Sequence, residues 1–156
     1  MAVREIPVKK ITEAISKMCI SINHRLSDDM IELIDNSKSK EENPLAKKVL
    51  STLQENLDIA AKEMIPICQD TGMAVVFLHI GQDVHFTGGN LYDAVNEGVR
   101  DGYERGYLRK SVVSDPIIRK NTNDNTPAVI HTDIIPGDKV EITVSPKVFV
   151  SENMSM

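Results

Sequence analysis

The chain has 156 residues, enough to bury one compact core without disulfides or structural metals. Its 18 lysines and arginines are outnumbered by 23 acids, giving a net charge of -5, and no basic run offers the footprint of a nucleic-acid binder. No stretch approaches the roughly 18 consecutive apolar residues of a membrane span, and the opening MAVREIPVKK lacks a signal peptide's apolar region, so a cytoplasmic chain with no membrane partner is expected. Apolar residues make up 41% but aromatics only 4%, so the core must be aliphatic, as where helices pack on a sheet. The expectation is one α+β domain over 1–156, with about four helices, helical over 7–64 and mixed α/β over 65–156.

Ile11, Ile15, Met18, Cys19 and Ile22 recur every three or four residues, which predicts an amphipathic helix from Pro7 to about His24 with Cys19 in the core. Ser27 followed by Asp28 and Asp29 predicts an N-cap and a second helix to about Asn36, with Leu26 stapled onto Ile31. Residues 37–43 lack periodicity and read as a loop. Asn43-Pro44 then opens a third helix, whose expected buried stripe includes Ala46, Val49, Leu50, Leu53, Leu57 and Ala60, and which ends near Met64 ahead of Pro66.

The string IPICQDTG reads as a loop and the following MAVVFLHI as a buried strand, placing Cys68 where a helix hands over to a strand. Asn90 with Asp93 predicts a fourth helix to about Tyr107. Its Gly98, Gly102 and Gly106 each weaken the helix by about 1 kcal/mol relative to Ala, so something must approach closely, and tight packing on the sheet is expected. After the polar stretch KNTNDNTP, alternation at Ile130, Thr132, Ile134 and at Val140, Ile142, Val144 around Pro136-Gly137-Asp138 predicts an antiparallel pair joined by a tight turn.

Two cysteines in unlike contexts, without a secretion signal, argue for reduced thiols. His24, His79, His85 and His131 lack zinc-ligand spacing and read as structural. Arg100 and Arg105 read as surface or salt-bridge residues. Alone, Cys68 is a weak signal, and bare sequence favours Asp70 as an Asp that merely closes the turn before Gly72.

The neighbours of Cys68 are more specific. Pro66-Ile67-Cys68-Gln69-Asp70-Thr71-Gly72 resembles the cluster motif of the class I iron-sulfur fumarate hydratase and L(+)-tartrate dehydratase family, in the N-terminal part of its alpha subunit. Further similarity lies in Asn96-Glu97-Gly98-Val99-Arg100, Gly106-Tyr107-Leu108-Arg109, Asp124-Asn125-Thr126-Pro127-Ala128, Ile135-Pro136-Gly137-Asp138 and Ser151-Glu152-Asn153-Met154-Ser155. The resemblance implies a hydro-lyase of the tricarboxylic acid cycle type, interconverting fumarate and malate or dehydrating tartrate.

It further implies a 4Fe-4S cluster held by three thiolates, with Cys68 one metal ligand and the others downstream of this sequence. By the same resemblance Asp70 is catalytic, as a proton acceptor or by orienting water, while Gln69, Arg109 and Lys147 bind the dicarboxylate or 2-hydroxy acid substrate. A beta subunit of the same enzyme is the implied partner, in an oligomer, and the chain alone is expected to be inactive. Where the family has Lys-Gly-x-Gly, this chain reads Lys147-Val148-Phe149-Val150, a departure that valines make sterically significant. Rival readings are a non-catalytic subunit-docking domain and an anion-binding helix start at Gly88-Gly89-Asn90.

Overall fold

The structure is a computed structural model that describes residues 3–148, and among these it has four helices and five strands, an α+β arrangement. Strand β1 (Arg4–Pro7) runs into helix α1 (Val8–His24), whose Ile11, Ile15 and Cys19 are buried as the periodicity requires. Helix α2 (Asp28–Lys40) begins where the acids predict, without a side-chain cap from Ser27. It runs past Asn36, so residues 37–40 are helical and not loop. The hydroxyls of Ser37 and Ser39 donate back to the carbonyls of Leu33 and Asn36, which lets this polar end stay helical in solvent.

Helix α3 (Pro44–Glu63) opens on Asn43, whose side chain accepts from the N–H groups of Leu45 and Ala46, and closes at Met64 with φ 54°. The buried stripe expected on it is not formed. Ala60 is its one buried residue, whereas Leu45, Val49 and Leu53 lie exposed. Helix α2 covers one side of α3 and α1 touches its C-terminal end, while nothing among the described residues covers Leu45, Val49 and Leu53.

Strand β2 (Met73–Gly81) is the centre of a three-stranded sheet, with β4 (Val129–Ile135) parallel on one side and β5 (Val140–Lys147) antiparallel on the other. Both strands expected around Pro136-Gly137-Asp138 therefore exist, but they do not pair with each other. Their connection arches over the end of β2. There the N–H groups of Gly81, Gln82 and Asp83 donate to the carbonyls of Lys139, Ile135 and Gly137. Gly81 permits the crossing, since a Cβ there would lie 2.4 Å from the Gly137 oxygen.

Nor is β2 buried on both faces. Ala74, Val76, Leu78 and Ile80 point into the core, while Phe77 stacks on His131 at 5.0 Å on the outer face. A further two-stranded sheet, unforeseen from the sequence, pairs β1 with β3 (Val84–Thr87) in parallel.

Helix α4 (Leu91–Arg105) starts on Asn90, whose side chain accepts from the N–H groups of Tyr92 and Asp93. It packs with α1 over the inner face of the three-stranded sheet, joining Val95, Val99 and Tyr103 to Ile15, Cys19, Val76 and Leu78 in one core. The close approach made by its glycines is to α1, not to the sheet. A Cβ at Gly98 would meet the Thr12 carbonyl oxygen at 2.7 Å, and one at Gly102 the Cys19 Cβ at 2.8 Å.

Candidate functional site

The loop between α3 and β2 is held at both ends and free in the middle. Asn56 donates to the Ile67 carbonyl (3.0 Å) and the Ile67 N–H donates to the Asn23 carbonyl (2.8 Å), so the residue before Cys68 is pinned to α1 and α3. Cys68 and Gln69 themselves are exposed. Next, Asp70 Oδ1 accepts from the Gly72 N–H (3.0 Å), so this carboxylate does close the turn, as its plainest reading holds. Gly72 has φ 63°, a conformation glycine adopts without strain.

Three buried side chains hold the loop's far end. Thr71 donates its hydroxyl to the Arg109 carbonyl at 3.0 Å. The Tyr103 hydroxyl donates to the Thr71 carbonyl at 2.9 Å. Asn125, fully buried, donates to the Gly72 carbonyl (3.1 Å) and accepts from the N–H groups of Ser111 (2.7 Å) and Val112 (3.1 Å). On the other side a Cβ at Gly72 would sit 2.2 Å from the Lys147 carbonyl oxygen, so the end of β5 lies against the same residue.

The backbones carrying Cys68, Gln69, Asp70, Arg109 and Lys147 thus converge on Thr71–Gly72, although they span 80 residues of chain from Cys68 to Lys147, inclusive. Arg109 is exposed. Thr71, Tyr103 and Asn125 are the residues that sequence reading missed as organisers. Thr71 and Asn125 lie inside motifs that carry the family resemblance, and that is the one signal that could have found them.

Burial pushes the Tyr103 hydroxyl well up, with Cys19 and Asp70 adding to the effect, so it stays a neutral donor. Burial also pushes the Cys19 thiol up to about 12, which removes it from thiolate chemistry. Asp124 feels burial in the opposite sense to its hydrogen bonds, and the bonds win: the Thr126 N–H and hydroxyl and the Arg100 guanidinium bring its carboxyl down to about 2. Arg100 bridges Asp124 and Glu97, and Arg105 pairs with Asp101, as surface ion pairs.

Among the described residues no group of three or more His, Cys, Asp or Glu side chains gathers as a metal site. A cleft of about 520 Å³ between α2 and α3, lined by Leu26, Ile31, Gln54 and Leu57, does not include the Cys68 loop. Of the segment that departs from the family pattern, Val148 ends the described residues, whereas Phe149, Val150 and the Ser151-Glu152-Asn153 motif lie outside them. No helix among the described residues is long and apolar enough to cross a membrane.

Comparison with known proteins points one way. The family described as Fumarate hydratase (Fumerase) matches residues 12–156. A putative L(+)-tartrate dehydratase subunit alpha of Methanocaldococcus jannaschii is 31% identical over 152 residues, covering 94% of this chain and 53% of that protein. The L(+)-tartrate dehydratase subunits alpha of Escherichia coli strains UTI89 and K12 are each 30% identical over 141 residues, covering 88% of this chain and 46% of theirs. The chain therefore spans about half the length of these relatives.

Proposed function

The chain belongs to the Fumarate hydratase (Fumerase) family, and from that premise we propose that it forms part of a 4Fe-4S hydro-lyase acting on a dicarboxylate or 2-hydroxy acid. Fumarate, malate and tartrate are the substrates the reading names. The observation that supports it is the convergence on Thr71–Gly72 of the backbones that carry the exposed thiol of Cys68, the carboxylate of Asp70 and the cationic residues Arg109 and Lys147, from distant parts of the chain.

The donor set fits one corner of such a cluster. Cys68 is exposed on an anchored loop and would be its ligand here, whereas Cys19 is sealed in the core, so two further thiolates must come from outside this sequence. When bound, the cluster supplies a Lewis acid that assists loss of the substrate hydroxyl. The residues of this chain do the rest. Arg109 offers a planar fork to a substrate carboxylate, with Gln69 and Lys147 as further donors. Asp70 keeps Oδ2 available beyond the turn that Oδ1 closes, and that oxygen takes the proton or orients the water. The remaining half of the alpha subunit and a beta subunit complete the assembly.

The test is anaerobic iron and sulfide reconstitution of a full-length alpha chain carrying this sequence, together with its beta subunit. Cys68→Ser should abolish both the cluster chromophore and hydratase activity, while Cys19→Ala should keep both. Hydratase activity from the 156-residue chain alone, or a Cys68→Ser enzyme with its cluster intact, would overturn the reading.

A further inference from the structure

Arg109 is fixed in its backbone and free at its tip. Its side chain is exposed and makes no ion pair among the described residues, whereas Arg25, Arg100 and Arg105 each sit against a carboxylate. Its carbonyl, by contrast, belongs to a closed ring of hydrogen bonds. The Thr71 hydroxyl donates to the Arg109 carbonyl at 3.0 Å, and the Tyr103 hydroxyl donates to the Thr71 carbonyl at 2.9 Å. The Leu108 N–H then returns to the Tyr103 carbonyl at 3.0 Å, and Thr71, Tyr103 and Leu108 are all buried.

Asn125 closes a second ring beside the first, holding the Gly72 carbonyl at one end and the N–H groups of Ser111 and Val112 at the other. Asp70 is tied to the same frame, because its Oδ1 accepts from the Gly72 N–H. Every one of these bonds ends on a backbone atom. They therefore fix the path of the chain at 70–72 relative to 109–112, and leave the exposed guanidinium to its own rotamers. Of them, only the bond from the Thr71 hydroxyl runs directly between the two segments.

Resting on the hydro-lyase reading, we propose that Thr71 is a positioning residue for Arg109. Its hydroxyl sets where the guanidinium fork stands relative to Asp70, and so how well the fork meets the substrate carboxylate. A planar clamp of two parallel hydrogen bonds depends on placement in a way that a point charge does not. A hydroxyl that only satisfied a buried carbonyl would matter to stability and not to substrate affinity, so the two roles separate in kinetics.

Steady-state kinetics of the reconstituted full-length alpha chain with its beta subunit tests this, with L-malate and L(+)-tartrate as probes. Thr71→Val keeps the volume and removes the hydroxyl. KM should rise about tenfold while kcat per cluster stays within about twofold, because a displaced clamp loses binding common to ground and transition states. Thr71→Ser, which keeps the hydroxyl, should return KM to within about twofold of the parent. In an Arg109→Ala background, Thr71→Val should move KM by less than about twofold, since the group it acts through is gone. Should the valine variant fail to fold, Thr71→Ala removes the same hydroxyl and is read the same way.

Hydrogen exchange on the 156-residue chain needs no variant. The N–H groups of Ser111 and Val112 should exchange at least about a hundredfold more slowly than in the unfolded chain. Faster exchange would mean that the segment carrying Arg109 is not held, and overturns the proposal. An active parent with KM unmoved in Thr71→Val overturns it too and leaves the hydro-lyase reading standing, as does an equal rise in KM when Arg109 is already alanine. An assembly inactive in every version, parent included, overturns both.

Discussion

Asn125, itself fully buried, makes three side-chain hydrogen bonds to backbone groups of two segments. Asn125→Ala strands two N–H groups and takes from the Gly72 carbonyl one of its two donors, the Tyr103 hydroxyl remaining, and each buried group left unpaired costs about 1–3 kcal/mol. The variant should lose about 3–5 kcal/mol in urea unfolding, and a loss below about 1 kcal/mol would mean the loop is held by other bonds. Asp124, its neighbour, sets a pH dependence. Its folded pKa of about 2 lies below the unfolded value, so it stabilises the fold above about pH 4 and that contribution disappears as pH falls toward 2. Asp124→Asn should flatten the stability profile across that window, by about 1 kcal/mol once solvent screening is allowed for, as acid titration followed by circular dichroism would show. The chemistry-bearing types around Cys68 were legible in the sequence because they sit in one short string with Asp70 and Gly72. Asn125 was not, since a polar residue within KNTNDNTP reads as solvated, and its burial is decided by Gly72, 53 positions away. Asp70 shows the converse, for its turn-closing bond is local and was foreseeable from spacing alone.

Helices α1 and α4 touch closely because glycine leaves room for one backbone against the other. Gly98→Ala and Gly102→Ala therefore set two effects in opposition. Alanine gains about 1 kcal/mol of helix propensity. Against this, its methyl would stand 2.7 Å from the Thr12 oxygen or 2.9 Å from the Ser16 oxygen, and neither backbone atom can swing aside as a side-chain tip would. Overpacking of this kind costs about 1–3 kcal/mol, so each variant should melt below the parent despite the better helix former, and a higher melting temperature would show that the helices can separate without loss. Most local signals survived: the caps at Asn43 and Asn90 and the helix end at Met64 follow from residues within a turn of themselves, whereas Ser27 makes no side-chain cap and α2 runs on into the expected loop. Partnering was not local. Alternation around Pro136-Gly137-Asp138 reports two strands and their faces, but it carries no information about a third strand inserting between them. That depends on Gly81 accepting the crossing backbone more than fifty residues downstream. The apolar stripe of α3 misled for a related reason, since periodicity shows which side wants cover and not whether this chain supplies it.

At the scale of the molecule, the two thiols report on different events. Cys19 lies in the core that joins α1, α4 and the sheet, with its Cβ 2.8 Å from where a methyl on Gly102 would stand, so no loop movement can expose it. Burial also holds its thiol up at about 12, leaving almost no thiolate at neutral pH even where reagent could enter. Cys68, by contrast, is exposed on the loop between α3 and β2. Treating the native chain with iodoacetamide at neutral pH should therefore give a single adduct by mass spectrometry, mapped to Cys68, with a second appearing only as denaturant opens the core. Since α1 cannot leave α4 without dismantling the packing over the sheet, the rate of the second modification should follow the global unfolding equilibrium and fall in step with measured stability across the glycine and Asn125 variants. Local opening predicts otherwise: if Cys19 reacted in native buffer at a rate indifferent to Asn125→Ala, α1 would be detaching on its own, and α1, α4 and the sheet would not be one cooperative unit.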